Sequence, residues 1–318
     1  MAQKFFTYGP DNVNTLLTTT QSSYATTDLV DQFFNQTPFW KKMRENARMM
    51  DGGASILVQL LTDQNSTTTA YDGYDTLDTT AQEGMTSAQA KWKNYATSIS
   101  ISGSEERQNS GQGKLISLLE AKNRQGLLSQ KRKLTADLFA ASVGSKNLES
   151  LVTMIDATST IQEINSTTSS FWQSTATTGG SFAAQGLSDM RTNWTTIQKI
   201  TPEGDIDVIL TTDTVFNFYE GSLTPQTRYT QGGNFDGAPT GLKFKTANVF
   251  FDSQCNSGVM YMFPSANLFL VINSNADFMT TPFVKPSNQD ARVSQLITMV
   301  QLVTNARRKL TKIASITA

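Results

Sequence analysis

Residues 114–141, "KLISLLEAKNRQGLLSQKRKLTADLFAA", form the longest helical pattern in the chain. Leu115, Leu118, Leu119, Leu127, Leu128, Leu134, Leu138 and Phe139 recur mostly at helical spacings, and Lys and Arg fill much of the rest. At a rise of about 1.5 Å per residue, this stretch predicts a rod of about 42 Å. Gly126 in its middle marks a bend or a close contact. Gly144 is expected to end it. A helix so long and only half apolar argues for a spine rather than a member of a compact bundle.

Upstream, ASILVQLLT (54–62) follows the Gly52-Gly53 break and reads as a strand. In AKWKNYATSISISG (90–103), Tyr95, Thr97, Ile99 and Ile101 alternate at period two and predict a second strand. Between them lies a polar run rich in Thr, Asp and Gly, from Leu61 to Thr86. Two strands with a long polar tip make a long hairpin, which is marginal alone and must lie on something else. Residues 1–30 read as an extended arm. NQTPFWKKMRENARMM (35–50) reads as a short helix with Thr37 as cap and Pro38 at the first helical position.

Downstream, GLSDMRTNWTTI (186–197) is expected to be a helix with Ser188 as cap, IDVILTT (206–212) a buried strand and TDTVFNFYEGSL (212–223) a short amphipathic helix. An irregular loop is expected over 224–241, and the order suggests a small α/β lobe. From 242 on strands dominate, ending in a basic tail after a strand-like run from Gln295 to Val303.

Composition limits the function classes. Hydrophobic residues make up 38% and charged residues 17% of the 318 positions, low for a soluble enzyme. The remainder is largely Thr, Ser, Asn and Gln, which suit strands, turns and wet interfaces. There is no His, which removes the commonest general acid–base and metal-ligating group. The single cysteine, Cys255, has no partner for an intramolecular disulfide and reads as a packed thiol. Neither a signal peptide nor a membrane-span run is present. The net charge of −1 points to no partner, but cations gather in two places. One runs from Arg107 to Lys133 and includes Lys131, Arg132 and Lys133. The other is Arg307, Arg308, Lys309 and Lys312. Both read as solvated surface or as faces toward a polyanion.

No phosphate-binding loop, nucleophile elbow or metal-binding Cys or His motif occurs. Asp72, Asp75 and Asp78 in DGYDTLD follow calcium-ligand spacing only loosely, and turn chemistry accounts for them. Glu105-Glu106 fits an acid-enriched helix N-terminus. Trp92 between Lys91 and Lys93 reads as a half-buried strand residue or a base-stacking ring. No nucleophile, base and orienting group assemble, so catalysis and cofactors are not expected. The extended arm, hairpin and spine fit a protein that works by contact with copies of itself.

In their order, these pieces resemble a tailed-phage major capsid protein of the HK97 fold. The likeness is carried by PFW (38–40), AYDGYDTLD, AKWKNYATSISISGSEERQNSG, TNWTTI, DVILTT, GLKFKTANVFFD and QDARVSQLITMVQLVTNARRKL. The resemblance implies an α+β fold in which 1–51 is an N-terminal arm with a short helix, and 52–103 the long β-hairpin called the E-loop. Residues 104–144 would be the spine helix of the P-domain, 145–245 an α/β A-domain, and 246–318 the return strands and C-terminal tail. It implies self-assembly as hexamers and pentamers into an icosahedral shell around double-stranded DNA, assembled in the host cytoplasm and resident in the virion, with no membrane. Tyr71, Asp72, Tyr74, Asp75 and Trp92 become the candidate intersubunit contacts, and Lys131, Arg132 and Lys133 the candidate DNA-facing residues. A portal is an implied partner. The arm begins at Met1 without a charged helical scaffolding segment, so scaffolding is expected to be a separate protein or dispensed with. No Lys lies between Asp63 and Gln89. A crosslink through the tip is therefore not expected, and interlocking or a separate cement protein takes its place.

Two other readings fit the absence of catalysis. A tail-tube or sheath subunit shares the strand-rich composition but not the long helix. A calcium-dependent adhesin or carbohydrate-binding module would use the Asp-rich tip and exposed aromatics.

Overall fold

The computed structural model describes residues 37–108, 118–200, 204–223 and 242–318. The expected arm (1–30), the start of the predicted spine helix and the irregular loop at 224–241 lie outside them. The chain divides into two compact units. Of the described residues, the first unit holds 94–108, 118–134 and 275–298, and the second holds the others.

In chain order the elements begin with helix α1, Pro38–Glu45, and strands β1, Arg48–Met50, β2, Ile56–Leu61, and β3, Met85–Ala90. Next come β4, Lys93–Ser102, and helices α2, Gly103–Gln108, α3, Leu118–Leu138, and α4, Leu151–Met154. Short strands β5, Thr160–Ile161, β6, Ile164–Asn165, and β7, Thr175–Thr178, lead to α5, Leu187–Gln198. They are followed by β8, Val208–Thr211, and α6, Asp213–Ser222. The remaining strands are β9, Leu242–Phe244, β10, Ala247–Phe251, β11, Met260–Phe263, β12, Leu268–Asn273, β13, Met279–Thr280, β14, Ala291–Thr304, and β15, Thr311–Ala314.

In the first unit, β4 buries Tyr95, Ile99 and Ile101 at the predicted alternation. α3 runs antiparallel to β4. Lys122 Nζ donates to the Ser100 carbonyl (2.9 Å) and Gln130 Nε2 to the Tyr95 carbonyl (3.1 Å). Gly126 sits between these two bonds, and a Cβ there would meet Ile99 Cγ1 at 3.2 Å. Of the two expectations for Gly126, close contact is the one observed. α2 opens with a reciprocal capping box: Ser102 N–H donates to Glu105 Oε2 (3.0 Å) and Glu105 N–H to Ser102 Oγ (3.2 Å). Burial works against ionised Glu105, but Lys122 at 2.9 Å and Ser102 outweigh it and hold the carboxyl below the usual glutamate range. β13 pairs antiparallel with β14 through Met279↔Ile297.

The second unit is built on a six-stranded mixed sheet in the order β7-β15-β11-β8-β10-β9. β8 lies parallel to β10 and antiparallel to β11, and β15 lies parallel to β7. Every residue of β8 and β11 is buried, which explains their unbroken apolar runs. α5 and α6 cover the sheet with Met190, Trp194, Ile197, Val215, Phe216 and Tyr219. The Trp194 and Phe244 rings meet edge to face at 5.8 Å. The same unit contains β12, buried along its whole length, between β1 and the 300–304 end of β14. Fully burying each such Leu, Ile, Val or Phe contributes about 1.5–3 kcal/mol.

Several local expectations are corrected. Helix α1 is shorter than the expected 35–50, because Arg48–Met50 leaves it to pair as β1 with β12, and Thr37 makes no side-chain cap. The free N–H of Phe39 instead donates to Asp252 Oδ2 (3.2 Å), 213 residues away. Ser188 lies inside α5, where its carbonyl accepts from Thr192 Oγ1. α3 ends at Leu138 rather than Ala141, because Phe139 turns to pack on Phe39 with ring centroids 5.2 Å apart. The basic tail is only partly solvated: Arg308 is exposed and Lys312 half-buried, but the other two cations are enclosed. Arg307 and Lys309 are 0% and 1% exposed. Arg307 Nε donates to the Met154 carbonyl (2.8 Å), Nη1 to Ser159 (2.8 Å) and Nη2 to Asp156 (2.6 Å) and Thr153 (3.5 Å). Lys309 Nζ donates to the Gly204 carbonyl (3.0 Å). Burial lowers the Arg307 pKa to about 10, still charged at neutral pH.

Candidate assembly surfaces

β2 and β3 form a two-stranded antiparallel ribbon registered from Ile56↔Ala90 to Leu61↔Met85. Beyond Thr62 and Gly84 the chain has no regular structure, and residues 71–83 are all exposed. Their order is local. Asp75 N–H donates to the Asp72 carbonyl (2.8 Å), Asp72 N–H to Asp75 Oδ2 (2.9 Å), and Gly73 N–H to Asp72 Oδ1 (2.8 Å). Thr80 N–H and hydroxyl both donate to Asp78, holding its carboxyl below the usual range. Asp72, Asp75 and Asp78 thus do the turn work their sequence suggests. Among the described residues no group of three or more Cys, Asp or Glu is placed to hold a metal.

The ribbon also concentrates exposed apolar side chains. Leu57, Leu61, Tyr71, Tyr74, Leu77 and Met85 are all more than half exposed, with Tyr74 fully so. Five carboxylates and no cation lie between Thr62 and Gly84. Tyr71 and Tyr74 were legible in the sequence, but Leu57, Leu61 and Met85 were not. For Leu57 and Leu61 the signal was the run ILVQLL, too apolar for a strand that pairs on only one side, whereas Met85 had none.

The root of the ribbon is fastened. Ile56, Val58, Ala90 and Trp92 pack with Phe269, Val271 and Val303. Half-buried Trp92 donates from Nε1 to the Gly53 carbonyl (2.9 Å). Gln89 N–H donates to the Gln162 carbonyl (2.9 Å), and Lys91 pairs with Glu163 at 2.8 Å, which keeps the Lys91 ammonium protonated to higher pH than usual. No sequence signal pointed to Gln162 or Glu163. In the first unit, Lys131 is half-buried and Arg132 and Lys133 exposed, on adjacent positions of α3. The Cys255 thiol is pushed far up by burial and by Asp252, consistent with a packed, unreactive group. No described helix is long and apolar enough to cross a membrane.

The cyanophage A-1(L) capsid asymmetric unit matches 93% of this chain and 97% of its own, with a TM-score of 0.68 and 15% identity. The chain has the phage-capsid fold. The capsid of an empty GTA particle shares that fold over 90% of this chain and 100% of its own (TM-score 0.61, 11% identity). So does the capsid of Myoviridae phage XM1, over 92% and 96% (TM-score 0.59, 11% identity). No protein-family model matches the sequence, and no curated protein is similar to it.

Proposed function

We propose that the chain is a major capsid protein that assembles as hexamers and pentamers into an icosahedral shell enclosing double-stranded DNA. The observation that carries this reading is the capsid fold over nearly the whole chain, and the exposed apolar ribbon supports it. Its role is structural rather than catalytic, in the virion, after assembly in the host cytoplasm. In this reading 1–51 is the N-terminal arm, 52–103 the E-loop, 104–144 the spine of the P-domain, 145–245 the A-domain and 246–318 the return strands. The ribbon lies across a neighbouring subunit, which Tyr71, Asp72, Tyr74, Asp75 and Trp92 contact. Burial there offsets the backbone ordering cost of the tip, about 1–2 kcal/mol per residue. Lys131, Arg132 and Lys133 face the genome, where neutralising phosphates adds salt-dependent affinity. A portal completes the shell, with separate scaffolding or cement proteins where the particle needs them.

Negative-stain microscopy of the expressed protein tests the reading. Closed shells are expected. Open tubes would favour a tail subunit, and dispersed monomers at high concentration would overturn both. Charge reversal of Lys131, Arg132 and Lys133 together should shorten the packaged genome, and an unchanged virion would remove their assignment.

A further inference from the structure

The ribbon's root is held by a turn that fits its own residues poorly. β5 and β6 are joined by Gln162 and Glu163, at φ 53° and 64°. Two successive left-handed residues make the mirror-image hairpin turn whose positions favour Asn-Gly. Long side chains with a Cβ are disfavoured in that backbone. Gln162 is also buried, only 5% exposed. Among the described residues neither its Oε1 nor its Nε2 has a hydrogen-bond partner. A buried amide without partners has lost its hydration and gained nothing in exchange.

This costly turn makes two contacts with the ribbon. The Gln162 carbonyl accepts from Gln89 N–H at 2.9 Å, and Glu163 Oε1 meets Lys91 Nζ at 2.8 Å. Gln89 is opposite Leu57, one rung from the ribbon's inner end. A turn serving only to reverse the chain would have no use for these residues. Local rules are broken most often where a second conformation matters.

We propose that Gln162–Glu163 is a sprung clasp, which holds the ribbon at one angle in the free subunit and opens when the ribbon seats on a second copy. The second half of this statement rests on the capsid reading. Opening breaks a backbone bond and a half-exposed ion pair, a weak interaction. It also lets the Gln162 amide reach a partner or water and lets both residues leave the left-handed region. The strain held in the closed turn thereby offsets part of the cost of re-angling the ribbon.

Two substitutions push in opposite directions. Gln162→Gly removes the unpartnered amide and the strain at 162, and keeps both contacts. Amide exchange at Gln89 should slow about tenfold, and shell assembly followed by light scattering should slow with it. Glu163→Gln keeps the backbone strain and removes the ion pair. Exchange at Gln89 should rise about two- to threefold, in keeping with a surface pair, and the assembly lag should shorten. Lys91→Glu combined with Glu163→Lys should return both readouts toward wild type. Gln162→Asn, which also tolerates the left-handed backbone, repeats the first arm if the glycine disorders the turn. The clasp is overturned if the Gly and Asn variants leave Gln89 exchange unchanged, or if tightening and loosening variants move it the same way. If the wild type forms no shells, the capsid reading fails separately, and the exchange measurements still decide whether the turn is strained.

Discussion

Residues 71–83 and strands β8 and β11 belong to the same unit, yet they are ordered by opposite means. In the two strands every residue is buried, and the pairing partners come from distant parts of the chain. At the ribbon tip every residue is exposed, and the hydrogen bonds of Asp72, Asp75 and Asp78 close on immediate neighbours. The strands gain hydrophobic stabilisation in proportion to the area they remove from water. The tip gains turn hydrogen bonds and one exposed bond across the loop, from Ser66 Oγ to Gln82, each contributing about 0.5–1.5 kcal/mol net at most. One region is completed by the chain's own fold; in the proposed shell the other is completed by a neighbour.

Mutations should separate the two regions, and the largest effect is expected at Arg307. Replacing it with Met leaves four carbonyls without their donor, which should lower unfolding stability by about 3–5 kcal/mol in urea titration. A loss under about 1 kcal/mol would break the contrast. Leu270→Ala, in the fully buried β12, should cost about 3 kcal/mol by the same measurement. Asp252→Ala should cost about 1–2 kcal/mol through loss of the α1 cap.

That cap carries a pH signature. Burial raises the Asp252 carboxyl above its ordinary 3.8, despite the N–H groups of Gln254 and Phe39. The fold therefore holds this proton more tightly than the unfolded chain does. The resulting stability is fully present below 3.8 and is lost as pH rises through the folded value. The stability gap between wild type and Asp252→Asn should accordingly be wider near pH 4 than near pH 7, and a gap independent of pH would refute the linkage. The smallest effect is expected at the tip. Tyr74→Ala and Leu77→Ala should change unfolding stability by less than about 0.5 kcal/mol, while reducing the yield of assembled particles. A large stability loss at either would mean that the tip packs on its own chain.

Much of the fold was legible because it rests on periodicity. The alternation Tyr95, Ile99, Ile101 and the apolar runs at 208–211 and 260–263 bury as their spacing predicts. The paired glycines at 52–53 marked where the ribbon starts, but its second strand lies elsewhere than expected: β2 pairs with Met85–Ala90, at the edge of the polar run, and not with the alternating residues of 90–103. What was not legible depends on distant partners. The cap of α1 arrives from residue 252. β7 sits in a Ser/Thr-rich run and becomes a strand only because β15 pairs with it. Arg307 and Lys309 look like solvent-facing cations until the fold brings carbonyls around them. The ribbon's exposed tyrosines could be suspected from composition, whereas the turn at 162–163 has no sequence mark, because its φ angles are imposed by the pairing of β5 with β6.

The position of β15 has a consequence for synthesis. Residues 311–314 lie inside the large sheet, with β7 on one side and β11 on the other. Until that strand has left the ribosome, β7 and β11 have no bridge between them and the sheet cannot close. In a nascent chain the sheet, and the root of the ribbon that packs on Phe269, Val271 and Val303, therefore both wait for residues made later. At about 5–20 residues per second of translation, the stretch between Phe263 and Thr311 sets a delay of roughly 2–10 s between the completion of β11 and the arrival of the strand that joins it to β7.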